Sequence, residues 1–302
     1  MSCPDLNVLS LRRCRGKMET IGFVDIPTRR SISKKLFMHS FSSYLASIQS
    51  LICISVSSDL LDVSCWESIS TWPMLKTLRI FACQNLSFPI LGDSAFPVLD
   101  TLKLSGVQSC ETIDVIWKNH AFVSRLTSVI LVLLNECFDK NNILGLERHV
   151  LEVLIRKTPR AESLKIDIPQ VFSGLNIPIS SLTVLEQLPL RILKLDGVCL
   201  DGRGEVLPRL LEFSDLEILS LRHQEISIKD LQYIQEKMPY LRTLRVAIKS
   251  KPVVAELIVN LSQVARYRQS PPLILELNFL RKGRFSEEKD TYIGIAIKRL
   301  NT

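Results

Sequence analysis

At 302 residues, with a hydrophobic share of 46% and only 14 Pro and 11 Gly, the chain is apolar enough to fold and too poor in turn residues for a low-complexity linker. Its net charge of +7 permits an acidic partner, but Lys and Arg are scattered instead of forming a tail, so charge alone selects no partner class. The longest aliphatic run, residues 129–134, is far short of a membrane span, and no apolar signal segment follows Met1-Ser2-Cys3-Pro4. A chain that is not secreted, with no membrane contact, is expected.

In chain order, the first element is Leu6, Leu9, Leu11 and Cys14, an L-x-x-L-x-L-x-x-C pattern. The last two leucines, two residues apart, point to one face of a short strand, and the cysteine is small enough to close the following turn. The next start is read at Ile48, with Leu51, Cys53 and Val56. The long interval predicts a helical insertion near 27–47. Arg29, Arg30 and Ser31 lie in its polar turn, and Leu36, Phe37, Phe41, Tyr44 and Leu45 recur at helical spacing.

The pattern is clearest at Leu75, Leu78, Ile80 and Cys83, and repeats at Leu99, Leu102, Leu104 and at Leu126, Val129, Leu131. It continues at Ala161, Leu164, Ile166; Leu190, Leu193, Leu195; Leu216, Leu219, Leu221; and Leu241, Leu244, Val246, ending in a degenerate copy with Leu275 and Leu277. Successive starts at 6, 48, 75, 99, 126, 161, 190, 216, 241 and 272 put six of nine intervals in the range of a leucine-rich repeat. Helices are expected between the strands: one capped by Asn142 and carrying Leu146 to Ile155, one capped by Ser227 with Ile234 and Met238, and one opened by Pro252. Ser286, Glu287 and Glu288 predict a C-terminal capping helix near 286–300, bearing Ile293, Ile297 and Leu300. The expected fold is therefore α/β: residues 1–302 as a single leucine-rich-repeat solenoid, a right-handed horseshoe with a parallel concave sheet and helices on the convex face.

Nothing in the sequence points to catalysis, a cofactor or a metal. The eight cysteines include no C-x-x-C pair and have no zinc spacing with histidine, so they read as reduced thiols of the cytoplasm or nucleus. His39, His120, His149 and His223 are isolated from any nucleophile and acid, and suit surface or capping positions. Asp201-Gly202-Arg203-Gly204 lacks the third glycine and the Lys-Ser/Thr pair of a phosphate loop, and is read as a repeat turn. The pairs Arg29-Arg30, Lys34-Lys35 and Arg281-Lys282 have no interleaved aromatic residues, so nucleic acid is not the expected partner.

A proline recurs two residues before several starts: Pro4-Asp5-Leu6, Pro73-Met74-Leu75, Pro97-Val98-Leu99, Pro159-Arg160-Ala161 and Pro239-Tyr240-Leu241. With Cys14, Cys83 and the irregular intervals, this resembles the leucine-rich region of F-box proteins, particularly the divergent fungal ones. The resemblance implies a substrate-recognition module of a cullin-based ubiquitin ligase. Docking on the ligase adaptor is implied only if an F-box lies upstream, since none precedes Leu6. The alternatives are the ligand-sensing repeats of an innate immune receptor and a leucine-rich-repeat activator of a small GTPase.

The residue between the last two leucines of each copy points away from the core: Ser10, Ile52, Arg79, Lys103, Ile130, Lys165, Lys194, Ser220, Arg245 and Glu276. Five of these ten are basic, and Arg222 stands one step further along its strand. Arg79, Lys103, Lys165, Lys194, Arg222 and Arg245 are therefore the candidate partner-binding residues, suited to an acidic or phosphorylated protein segment. The ordinary alternative is a set of long basic side chains that keep an open sheet soluble, neutralised in part by Asp167 and Asp196.

Overall fold

Leu75, Leu78 and Ile80 are fully buried while Arg79, between the last two, is exposed, the alternation of a strand with one apolar face. The computed structural model describes residues 9–14, 17–23, 45, 51–81, 83, 86–108, 110–134, 152–168, 175–178, 182, 185–201, 212–213, 215–226, 234, 237–248, 273–278 and 292–297. They form an α/β fold on parallel, open sheets, divided between two units, Met1–Ala161 and Glu162–Thr302.

In the first unit the strands are β1 (Leu9–Cys14), β2 (Lys17–Phe23), β3 (Cys53–Ser57), β4 (Thr77–Phe81), β5 (Thr101–Val107) and β6 (Ser128–Leu133). They pair in chain order, β2 through β6 in parallel. One backbone motif fixes the pitch of successive copies. The carbonyl of Ile52 accepts from Lys76 and Thr77, that of Lys76 from Asp100 and Thr101, and that of Asp100 from Thr127 and Ser128, all at 2.8 to 3.0 Å. Each acceptor is the residue after the first leucine of its copy.

Helices lie between or after these strands: α1 (Val63–Ser70) between β3 and β4, α2 (Cys110–Trp117) and α3 (His120–Val123) between β5 and β6, and α4 (Glu152–Lys157) after β6. Asp62 caps α1, accepting from the Cys65 N–H and the Ser64 hydroxyl at 2.8 Å each. Partial burial works against this carboxylate, but the hydrogen bonds from Cys65 and Ser64 prevail and hold its pKa below the usual value. Trp66, Phe88, Phe122 and Phe96 pack in an unbroken aromatic run at centroid separations of 4.3, 5.8 and 5.2 Å, joining α1, the segment before β5 and α3. Asn119, buried, accepts from Leu91 N–H and donates to the Pro89 carbonyl, pinning that same segment. Lys157 donates to the Trp117 carbonyl at 2.8 Å, a cation at the C-terminus of α2.

In the second unit β7 (Ser163–Asp167), β9 (Ile192–Asp196), β11 (Ile218–Ile226), β12 (Thr243–Ile248) and β13 (Leu273–Asn278) pair in parallel in that order. β14 (Tyr292–Ile297) closes the series, and β8 (Leu175–Pro178) pairs with β10 (Val198–Asp201) in a separate two-stranded parallel sheet. Leu164, Ile166, Leu193, Leu195, Leu219, Leu221, Leu244 and Val246 are all buried. The pitch motif recurs: the carbonyls of Glu162, Arg191 and Glu217 each accept two N–H groups from the next copy.

Four expectations change. β1 pairs antiparallel with β2, which was not foreseen, so the first copy is half of an antiparallel pair and Ser10 faces Gly22. Only Arg15-Gly16 separates Cys14 from its register partner Lys17, a hairpin-length connection. The copy read at Ile48 begins at Leu51: Ile54 and Val56 are buried and align with Leu78 and Ile80, and Ser55, not Ile52, aligns with Arg79. Two registers fitted because apolar residues occupy 51–54 without a break; full burial of Ile54, with Cys53 only partly buried, selects the one that gives a 24-residue interval from Leu51 to Leu75. Where the capping helix near 286–300 was expected, 292–297 is the strand β14, antiparallel to β13. Ile293, Ile295 and Ile297 alternate with period two, and β-branched residues favour that over the helical spacing of 293, 297 and 300.

Of the helical insertion near 27–47 only Leu45 lies among the described residues, helical and buried. Asn142, Ser227, Pro252 and Ser286 lie outside them, while Ile234 and Lys237 are helical and Ile234 is buried. No helix among the described residues is long and apolar enough to cross a membrane.

Candidate functional site

The sheet face opposite the buried leucines carries the candidate residues, and each unit presents its own set. In the first unit Arg79 is exposed and Lys103, its register partner, is partly exposed; Lys103 is followed by Ile130 on β6. Two residues earlier on the same strands, Cys53, Thr77, Thr101 and Ser128 form a row of small side chains.

The second unit is more crowded. Lys165, Lys194, Ser220 and Arg245 stand side by side on β7, β9, β11 and β12, with Glu276 next in register on β13. Ser220 is fully buried and its hydroxyl donates to Asp196 Oδ1 at 2.6 Å. Small and turned toward Asp196, it leaves Lys194 and Arg245 facing each other across two strand spacings, about 10 Å. The other Asp196 oxygen lies 3.7 Å from Arg222 Nε. Asp196 thus engages Arg222 and Ser220 along one side of the row.

The electrostatics follow from this geometry. Burial, then the charges of Arg245 and Lys165, and more weakly that of Arg222, push the Lys194 pKa below its ordinary 10.5, and Asp196 only partly opposes them. The charged form of Lys194 is therefore disfavoured in the fold. That cost is present at neutral pH and disappears as pH rises through the lowered folded value to 10.5, where the unfolded chain also loses its proton. Lys194→Met is expected to raise the urea midpoint at pH 7, a gain in stability of less than about 1 kcal/mol because the group is only partly buried and solvent screens its charge, with the gain fading at pH 10.5. Parallel titrations at the two pH values check this; a lower midpoint at pH 7 contradicts it.

Three features of this unit escaped the sequence reading. The residues after the first position of each copy, Glu162, Arg191, Glu217 and Arg242, alternate in charge: Arg191 donates to Glu217 through Nε at 2.8 Å and lies 4.0 Å from Glu162. Their hydrogen bond lowers the Glu217 pKa and raises that of Arg191. Reading that column at the repeat period would have found the alternation. β11 carries three extra residues, Arg222 to Gln224, between its register with Val246 and with Ala247. Within them His223 Nδ1 accepts from the Gly197 N–H and Gln224 Oε1 from the Leu200 N–H, both at 2.8 Å. His223 thus caps the backbone at Gly197.

His120 opens α3 and is exposed, and His39 and His149 lie outside the described residues. Of the phosphate-loop-like stretch only Asp201, at the end of β10, is described. Among the described residues no three His, Cys, Asp or Glu side chains are grouped to hold a metal. The Cys83 thiol is buried against the Ile80 carbonyl, and burial pushes its pKa up to about 12, which makes it an inert packing residue. No protein-family model and no curated protein matches this chain.

Proposed function

We propose that the chain is a non-enzymatic protein-binding module, a leucine-rich-repeat array whose exposed sheet face receives a partner protein, as in the substrate-recognition part of an F-box receptor. The observation that carries this reading is the row Lys165, Lys194, Arg245, held on a partly exposed sheet where the charge on Lys194 works against folding. A lysine whose charge is disfavoured by burial and by the cations beside it is better accounted for by a ligand that meets that charge than by stability. The reading is supported by the recurrent spacing and by the common register of its copies, which project one side chain per strand onto a continuous face in each unit. Buried, reduced Cys65 and Cys83 suit the cytoplasm or nucleus. Docking on a ligase adaptor belongs to the proposal only with an F-box upstream of Met1.

The test is site-specific photocrosslinking of the full chain in cells that express it. A photoreactive residue at Thr101 or Thr243, both on the sheet face, is compared with one at Glu67 on α1. Crosslinks to a discrete protein from the sheet positions and not from Glu67 are expected. Crosslinks from Glu67 alone, or none from either sheet position, overturn the reading.

A further inference from the structure

The exposed face of the second unit carries a second row. Two residues before the cations on the same strands stand Ile192 and Ile218, both partly exposed and register partners, then Thr243, and then Ile274, 47% exposed. Two residues after them stand Asp167 and Asp196, also register partners. The face thus carries an aliphatic row and a cationic row about 6.6 Å apart along the strands, and beyond them a row in which Asp196 is paired with Arg222. Exposed aliphatic side chains beside a crowded cationic row are unfavourable on a surface whose only neighbour is water. The aliphatic and cationic rows specify opposite chemistry in whatever covers them.

We propose that this face binds an extended peptide segment of a partner protein in which acidic and aliphatic residues alternate, laid across β7, β9, β11 and β12. The inference rests on the protein-binding reading and names the partner's chemistry. An extended chain sends alternate side chains to opposite sides, so one side supplies carboxylates to Lys165, Lys194 and Arg245 and the other supplies aliphatic groups to Ile192 and Ile218. The spans agree. From β7 to β12 is three strand spacings, about 14 Å, and residues i, i+2 and i+4 of an extended segment cover about 13.6 Å. Three carboxylates on one edge therefore match the three cations. Burial sets the largest part of the disadvantage of the Lys194 charge, and an anion beside it offsets the remaining repulsion from Arg245, Lys165 and Arg222.

The experiment is fluorescence anisotropy with the full chain and a labelled heptapeptide of alternating Glu and Val. The comparison probes are its Gln-for-Glu counterpart, a peptide with the same Glu and Val residues in two blocks, and a single-stranded oligonucleotide of equal charge. Tightest binding of the alternating peptide, weakening as salt rises, is expected. Lys194→Glu is expected to reduce its affinity at least tenfold, and Ile218→Asn severalfold with the salt slope retained. Lys118→Glu, the same charge reversal on the first unit, is expected to stay within twofold. Lys194→Gln serves if the Glu variant fails to fold by circular dichroism. Equal binding of the block peptide, preference for the oligonucleotide, or unchanged affinity of the folded Lys194 variant overturns the inference. If those results accompany sheet-face crosslinks, the protein-binding reading stands and only the alternating acidic segment is excluded.

Discussion

Leu193→Asp is expected to abolish cooperative folding of the second unit. Leu193 has no exposed surface and sits in register between Leu164 and Leu219, themselves buried, so its side chain is a contact for the copies on both sides. Losing that burial costs about 1.5 to 3 kcal/mol. The carboxylate adds several more, because its register neighbours Leu164 and Leu219 are apolar and buried. Together these approach the whole of a typical domain's stability, about 5 to 15 kcal/mol. Leu193→Ala, which removes volume without adding charge, is expected to lose about 2 to 5 kcal/mol and still fold. Urea unfolding followed by far-ultraviolet circular dichroism measures both. An unchanged midpoint for the Asp variant would contradict the assignment of Leu193 to the core.

A single methyl group at Gly197 is expected to cost about 3 kcal/mol or more. Gly197 has φ +83°, where side-chain-bearing residues are strained, and a Cβ placed there would lie 2.5 Å from the Ile168 carbonyl oxygen and 2.8 Å from its Cβ. Ile168 has no easy retreat: its N–H donates to the Asp196 carbonyl at 3.0 Å, and the Gly197 N–H is itself held by His223. The clash is with backbone that is tied on both sides. Gly92→Ala is the matched control, since nothing lies within 4 Å of a Cβ there, and it is expected to be close to neutral. Comparable losses in the two variants would show that chain flexibility, not the contact with Ile168, sets the effect.

What could be read in advance follows from what a periodic pattern encodes. Leu75, Leu99, Leu126, Leu190, Leu216 and Leu241 each open a copy because burial acts at the same three offsets every time, and the parity of a strand then places Arg79, Lys103, Lys165, Lys194 and Arg245 on the opposite face. The pattern fails where it is degenerate. Residues 51–54 are apolar throughout and admit two registers, and Ile293 and Ile297 fit a helix until Ile295 is counted. Contacts between copies were beyond it for another reason. The Ser220–Asp196–Arg222 group, the Glu162–Arg191–Glu217 alternation and the capping of Gly197 by His223 depend on which residues lie abreast, and a bulge of three residues in β11 shifts that alignment.

Lys194, in the cationic row of the second unit, serves binding at some expense to folding. The most direct measurement takes the stability and the alternating-peptide affinity of Lys194→Met on one preparation at pH 7. A higher urea midpoint together with weaker peptide binding is predicted. A lower midpoint with unchanged binding would mean that Lys194 serves the fold, and would contradict the claim.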